Sequence, residues 1–104
     1  MPGLDSRVQI DINSPAFLRN LFDLGPSELK QVGAALRRLM GMEWKTVYSH
    51  TGFKWEVLDH ISAPNGAKTY SLRLSQKMRA LAYRDGDFLR FISLHPDHDS
   101  AYKR

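Results

Sequence analysis

Three short strand-like segments follow one another in the last third of the chain, and they constrain the fold more than any other feature. Only two or three residues separate them, and Asp85-Gly86 in the second gap is typical of a tight hairpin turn. Connections this short join antiparallel strands, because a parallel pair needs a crossover of about a dozen residues or more. The sequence therefore predicts an antiparallel sheet formed by residues 70–75, 78–84 and 88–94.

The first forty residues predict one strand and two helices. Apolar and polar residues alternate from Arg7 to Ile12, as in a strand with one buried face. Asn13-Ser14-Pro15 combines a capping side chain with proline, so a helix is expected to begin there and to end by Gly25. A second helix is expected from Pro26 to Gly41, antiparallel to the first because the connection is so short. The apolar face of the first helix would consist of Phe17, Leu18, Leu21 and Phe22.

The middle of the chain is less regular. We expect residues 42–52 to form a loop with at most one helical turn, and residues 62–66 to form a turn. Between them, residues 53–58 alternate in hydrophobicity and predict another strand. The order strand, helix, helix and antiparallel strands favours an α+β fold, with the helices covering one face of the sheet. With 104 residues, 42% of them apolar, we expect one domain spanning residues 1–104.

Composition excludes several classes of function. The chain has no cysteine, which excludes disulfides, thiol catalysis and cysteine-ligated zinc. Its first residues lack the charged and apolar regions of a secretory signal, and its apolar stretches are too short to cross a bilayer. We therefore expect a soluble, cytoplasmic protein that does not bind membranes.

The positive charge lies in the second part of the chain. The formal net charge is +4; the residues before Leu36 carry a net charge of −1, and those from Leu36 onward carry +5. Such a surface favours a polyanionic partner such as nucleic acid. A mildly basic, well-solvated surface with no such partner is the alternative.

Three short motifs occur in the order and spacing of a known superfamily. Residues 70–79 resemble Trp/Tyr-Ser-x-Arg-Ile followed six residues later by a second arginine, here Arg73 and Arg79. Upstream, Trp55-Glu56-Val57-Leu58 resembles a strand that carries a glutamate and a leucine. Downstream, His98-Asp-Ser-Ala-Tyr102 resembles a His/Arg-x-x-x-Tyr ending. Together they make the chain similar to the RelE/ParE superfamily of bacterial toxins.

The resemblance implies a toxin of a type II toxin–antitoxin system, neutralised by an antitoxin protein that wraps it. Members of the RelE branch are metal-independent endoribonucleases, or mRNA interferases, and many cleave mRNA on the ribosome. ParE-like members inhibit DNA gyrase instead and lack the nuclease residues. We expect the ribonuclease, acting without a cofactor on mRNA at the ribosome. The alternatives are a gyrase inhibitor and a degenerate toxin that retains only antitoxin binding.

The resemblance also implies the site residues. The catalytic set falls on Glu56, Arg79, His98 and Tyr102, and the expected RNA- or phosphate-binding residues are Lys54, Lys68, Arg73 and Arg90. Metal-free cleavage needs a base for the 2′-hydroxyl, positive charge for the transition state and an acid for the 5′-oxygen. A glutamate suits the base, arginine forks match phosphate oxygens, and an imidazole or phenol suits the acid.

Each assignment has a structural alternative. The arginines could be solvated residues of a hairpin, and Glu56 could be half of a surface ion pair with Lys54. Tyr102 could be an aromatic plug at the end of the sheet. We expect His95 to be a structural residue that ends its strand before Pro96, and His98 to be the functional histidine.

The register of one hairpin decides whether the two arginines act together. If residues 75–77 form a three-residue connection, Arg73 lies opposite Arg79 and both point to one face of the sheet. A two-residue connection at residues 76–77 would pair Arg73 with Ala80 and send Arg79 to the other face.

A metal site is a further alternative at the end of the chain. His95, Asp97, His98 and Asp99 are suitable metal ligands, and others would come from His50, His60 or Glu56. No His-x-x-x-His spacing supports this reading, so we expect no bound metal.

Overall fold

A computed structural model describes residues 6–96 as an α+β fold, as the sequence predicts. Its strands are β1 (Gln9–Asp11), β2 (Glu56–Ser62), β3 (Lys68–Arg73), β4 (Met78–Asp85) and β5 (Phe88–Pro96). Its α-helices are α1 (Pro15–Phe22), α2 (Pro26–Leu39) and α3 (Trp44–Ser49), and a 3₁₀ turn spans Thr51–Phe53. No helix among these residues is long and apolar enough to span a membrane.

The five strands form one sheet in the order β1-β5-β4-β3-β2. The pairs β2–β3, β3–β4 and β4–β5 are antiparallel, and the pair β1–β5 is parallel. The chain can make this parallel pair because α1, α2 and the other strands lie between β1 and β5 in sequence.

Helix α1 begins where its capping signal predicts. The Ser14 side chain accepts a hydrogen bond from the backbone N–H of Phe17, and Pro15 occupies the first turn. Phe17 and Leu21 are buried, and the Phe17 ring lies 5.0 Å from that of Phe91 on β5. Phe22 was expected on the same apolar face, but it is 70% exposed. It lies about 100° around the helix from Leu21, which turns it away from the sheet.

Helix α2 buries a stripe formed by Val32, Ala35 and Leu39, at spacings of three and four residues. The predicted stop is also present, since Gly41 has φ +79°, a backbone conformation that glycine adopts without strain.

The hydrophobic core lies between the helices and one face of the sheet. Completely or almost completely buried side chains from the helices meet alternate residues of β3, β4 and β5; these sheet residues are Leu72, Ala80, Ala82, Leu89, Phe91 and Leu94. The other face, which we call the open face, carries the intervening residues and is covered by no described helix.

The predictions for residues 42–62 are partly wrong. Helix α3 occupies the expected loop, because Trp44 and Val47 lie three residues apart on one helical face and are both fully buried. The expected strand at residues 53–58 begins only at Glu56. Phe53 is buried in the 3₁₀ turn, and Lys54 has a left-handed backbone (φ 47°), which interrupts the extended chain.

Candidate functional site

The hairpin between β3 and β4 has the register that the two-arginine hypothesis requires. Arg73 lies opposite Arg79, so both residues belong to the open face. The hairpin is closed by a hydrogen bond of 2.9 Å from the Leu74 N–H to the Met78 carbonyl. The three-residue connection is therefore confirmed.

Cross-strand neighbours on the open face form two rows. One row contains Arg73, Arg79 and His95 on β3, β4 and β5. The second contains Glu56, Ser71, Leu81 and Ser93 on β2 to β5. Directly opposite side chains have Cβ atoms about 4.5–5.5 Å apart, so these rows bring a carboxylate, guanidinium groups and an imidazole onto one surface.

Arg79 is at the centre of this surface and is held from several sides. Its Nε–H donates to the Ser71 hydroxyl at 2.7 Å, and an Nη2–H donates to the Lys54 carbonyl at 3.3 Å. Its Nη2 also lies 3.6 Å from a carboxylate oxygen of Glu56. With only 18% of its side chain exposed, Arg79 presents its charge in a set orientation rather than as a mobile surface cation.

Glu56 is much more exposed than its partner. Its side chain is 67% exposed, and it begins β2 directly opposite Ser71. An ion pair with so exposed a member contributes little to stability, about 0–1 kcal/mol. The contact between Glu56 and Arg79 is therefore one that an anion approaching from solvent could replace at small loss.

Lys54 helps to hold the Arg79 side chain through its backbone carbonyl. Its left-handed conformation aims its carbonyl oxygen at Arg79, while its N–H donates to the Thr51 carbonyl at 3.2 Å. A left-handed conformation is unfavourable for a lysine by about 1–2 kcal/mol, and such strain is common at functional sites.

His95, which we expected to be a structural residue, lies beside Arg79 on this surface. It is exposed, lies opposite Arg79, and has Nε2 2.7 Å from the Ser93 hydroxyl. A β-bulge explains the difference. The pairing Asp85–Phe88 would place Leu94 opposite Arg79, but one extra residue of β5 at Ile92 shifts the register and brings His95 there.

These side chains surround a depression of about 350 Å³. Its polar members are Glu56, His60, Ser71, Arg79 and His95, and its apolar members are Leu58, Leu81 and Pro96. His60 is a second residue that sequence reasoning did not place on this surface with Arg79, because an exposed histidine on an edge strand gives no signal of its own.

The Tyr-Ser-x-Arg motif divides between the two faces of the sheet. Ser71 and Arg73 lie on the open face, whereas Tyr70 packs against Trp55 with ring centres 4.5 Å apart. Burial raises the pKa of the Tyr70 phenol. The tyrosine thus packs on the face of β3 opposite to the open face, and the serine positions Arg79.

Arg90 lies away from the depression and holds the sheet together. It donates to Asp11 at 2.6 Å and to Asp85 at 2.8 Å, joining β1 to the β4–β5 hairpin. These hydrogen bonds, first to Asp85 and then to Asp11, raise the pKa of the Arg90 guanidinium. The pKa of Asp11 is lowered by a hydrogen bond from the Asn13 N–H and by Arg90. The guanidinium of Arg90, which we expected to bind phosphate, thus already binds two carboxylates.

The structure does not bring the two expected lysines into the depression. Lys68 is exposed at the start of β3, and strand alternation assigns it to the same face as Tyr70. The exposed Lys54 is absent from the depression's lining. The predicted residues His98 and Tyr102 lie outside the described part of the chain, as do Asp97 and Asp99 of the metal hypothesis. Within residues 6–96, no group of three histidine, aspartate or glutamate side chains is arranged to hold a metal ion.

Helix α2 presents a second positive surface. Lys30, Arg37 and Arg38 surround a shallow hollow of about 710 Å³ over Gly33 and Ala34. None of the three cations forms an ion pair with another described residue. This surface lies on the helix side of the sheet, away from the depression.

Comparison with known proteins identifies the fold. No family model and no curated protein sequence matches the chain. The structure is similar to a chain in the crystal structure of the archaeal RelE–RelB complex from Pyrococcus horikoshii OT3, with a TM-score of 0.60 and 15% sequence identity. The match covers 88% of this chain and 96% of that one. The protein has a RelE-like fold.

Proposed function

We propose that this protein is the toxin of a toxin–antitoxin pair and acts as an endoribonuclease on mRNA. The observation that carries the proposal is the position of Arg79, which is held by Ser71 on the open face with Glu56 and His95 on either side. This arrangement combines a base, a fixed cation and an imidazole on a surface that no described helix covers.

The proposed reaction is an attack of the RNA 2′-oxygen on the adjacent phosphorus. A 2′-O–P bond forms as the P–O5′ bond breaks; the base takes the proton of the 2′-hydroxyl, and the acid gives a proton to the leaving 5′-oxygen. The products are a 2′,3′-cyclic phosphate and a 5′-hydroxyl. Every step is a proton transfer or a phosphoryl transfer, and the depression contains side chains of the types that catalyse such steps.

Glu56 is the proposed base, and an imidazole at the end of β5 is the proposed acid. Within the described residues that imidazole is His95, which lies three strands from Glu56 and two residues further along the sheet, a span of about 16 Å between backbones. In the proposed complex, the two side chains lean inward and contact opposite sides of one phosphate. His98 and Tyr102 stay predictions for the general acid.

Arg79, assisted by Arg73 beside it on β3, is the proposed clamp for the charge that develops on the phosphate. Loss of such a transition-state contact typically slows catalysis by about 100- to 1000-fold. Lysine in place of Arg79 would keep the charge but lose the planar fork, so it should restore only part of the activity.

The proposed partners are an antitoxin protein, mRNA and the ribosome, and the proposed location is the cytoplasm. Support for an antitoxin comes from the fold, because the similar chain was crystallised within a RelE–RelB complex. The ribosome and mRNA follow from the sequence resemblance together with the basic character of the chain.

Expression in bacteria without a partner protein tests the proposal. Protein synthesis should fall within minutes of induction and before DNA synthesis changes, and Arg79→Ala should abolish the fall. Arg37→Ala is a matched control, since it removes an exposed arginine outside the depression. If DNA synthesis falls first, the gyrase-inhibiting alternative replaces the ribonuclease. If neither changes, the protein is a binding module with a toxin-like fold.

A further inference from the structure

We propose that the apolar part of the depression is a seat for one nucleobase of the substrate and that His60 determines which base is preferred. The inference rests on the proposed ribonuclease function and adds a specificity site to it. It concerns Leu58, His60 and Leu81, none of which is needed for proton transfer or phosphate binding.

The depression has two chemically different parts. Glu56, Ser71 and Arg79 form a polar part suited to a phosphate and ribose. Leu81, directly opposite Ser71, and Leu58, two residues along β2 from Glu56, form a half-buried apolar floor beside it. Nucleobases have apolar faces that stack on flat or apolar side chains, so the neighbouring floor suits the base of the nucleotide whose phosphate meets Arg79.

The size of the depression also fits one nucleotide. Its volume of about 350 Å³ lies at the lower end of the range for small-ligand sites, about 300–1,000 Å³. A single base with its sugar and phosphate can occupy such a space, whereas the rest of an RNA strand would pass over the surrounding surface.

An irregularity of β2 brings His60 to this seat. From Leu58 to Ser62 strand β2 advances four residues while its partner β3 moves only from Thr69 to Lys68. Three consecutive residues, 59–61, are therefore left without partners in the ladder, and His60 lines the depression. Strand bulges commonly redirect a side chain next to an active site.

The irregularity has no evident benefit for packing. Beneath it, the Thr69 hydroxyl is fully buried and has no hydrogen-bond partner among residues 6–96. Unsatisfied buried hydroxyls are uncommon because they destabilise the folded state. A segment that gives up ladder hydrogen bonds and leaves a hydroxyl unpaired is better explained by the position it gives His60 than by stability.

An imidazole can bind a nucleobase in two ways. Its ring stacks on the face of the base, and its two nitrogens donate to or accept from the base edge. Stacking alone is tolerant of sequence, so a preference among bases would come from the ring nitrogens.

The test uses the four nucleoside 3′-monophosphates as probes, titrated into the isotopically labelled chain and followed by NMR. Binding should shift the amide signals of Leu58, His60 and Leu81, with different affinities for the four bases. His60→Ala should weaken the preferred nucleotide by about 5- to 150-fold, the range for loss of one base–aromatic stack. His60→Phe should keep most of the affinity but reduce the differences among bases. Asp59→Ala and Val57→Ala are matched controls on the same strand that line no part of the depression, and they should change nothing.

The same variants should alter the positions of cleavage in a defined RNA, with His60→Ala cutting at more kinds of nucleotide. Binding and a cleavage pattern in His60→Ala that equal those of the wild type would overturn the base seat, as would mononucleotides that shift only signals outside the depression. The proposed function is judged separately by Arg79→Ala, whose loss of cleavage, by about 100- to 1000-fold, does not depend on base preference.

Discussion

Replacing Ser71 with alanine tests how Arg79 is positioned. Ser71 is 5% exposed and accepts a hydrogen bond of 2.7 Å from the Arg79 Nε–H. Hydrogen bonds to charged groups contribute about 1.5–3 kcal/mol net. Because Arg79 is partly exposed, water can reach the freed N–H, and we expect the lower end, about 1.5 kcal/mol. With an m-value of about 2 kcal/mol/M, the urea midpoint should fall by roughly 0.7 M.

The same loss of orientation should slow RNA cleavage by about tenfold, if the contact matters fully in the transition state. Ser71→Thr, which keeps a hydroxyl and suits a strand, should restore most of the rate. Ser49→Ala is the control. Among the described residues this exposed hydroxyl bonds only to carbonyls of its own helix, so its removal should shift stability by less than about 0.5 kcal/mol. A Ser71→Ala variant with wild-type urea midpoint and rate would refute the positioning role.

Three further predictions concern stability. The folded-state pKa of Asp11 is lowered, so its stabilising effect is present above the usual aspartate pKa of about 3.9 and is lost as pH falls through the folded-state pKa. The excess stability of the wild type over Asp11→Asn, measured by urea unfolding, should therefore shrink from pH 6 to pH 2. A constant difference would contradict this. Lys54→Gly should raise the free energy of unfolding by about 1 kcal/mol by relieving the left-handed backbone, whereas Lys54→Ala should not; equal values would contradict the strain. Leu39→Ala, at a fully buried site, should lower the free energy of unfolding by about 2–5 kcal/mol in calorimetry. Phe22→Ala, at an exposed site, should lower it by much less.

The ion pair between Arg79 and Glu56 bears on the proposed mechanism. Without RNA the guanidinium and carboxylate lie 3.6 Å apart, so each moderates the charge of the other. A phosphate that binds Arg79 would release Glu56 beside the ribose. Under the proposed function, binding of the substrate and release of Glu56 from Arg79 are thus expected to occur together.

Much of the fold follows from local patterns in the sequence. The Ser14-Pro15 cap and the stop at Gly41 each determine one end of a helix, and the alternation of residues 70–94 predicts three strands; the structure confirms these features. The pairing of Arg73 with Arg79 was one of two registers that the sequence allowed, and the hairpin connection selects it.

The features that sequence reasoning missed depend on longer-range packing. The burial of Trp44 and Phe53 draws residues 44–53 into helical turns, although their composition resembles that of a loop. The bulge at Ile92 decides that His95 rather than Leu94 lies opposite Arg79, and the irregularity of β2 decides the place of His60. Neither follows from residue alternation, because one extra residue reverses which side chains face the site.

The central claim is that the open face around Arg79 cleaves RNA, and mapping of RNA ends tests it most directly. RNA 5′-hydroxyl ends would be sequenced minutes after induction of the wild type, of Arg79→Ala and of the control Arg37→Ala, with circular dichroism to confirm that each variant folds. We predict new ends within coding sequences for the wild type and the control, and about 100- to 1000-fold fewer for Arg79→Ala. Equal numbers of new ends from a folded Arg79→Ala variant, or no new ends from the wild type, would contradict it.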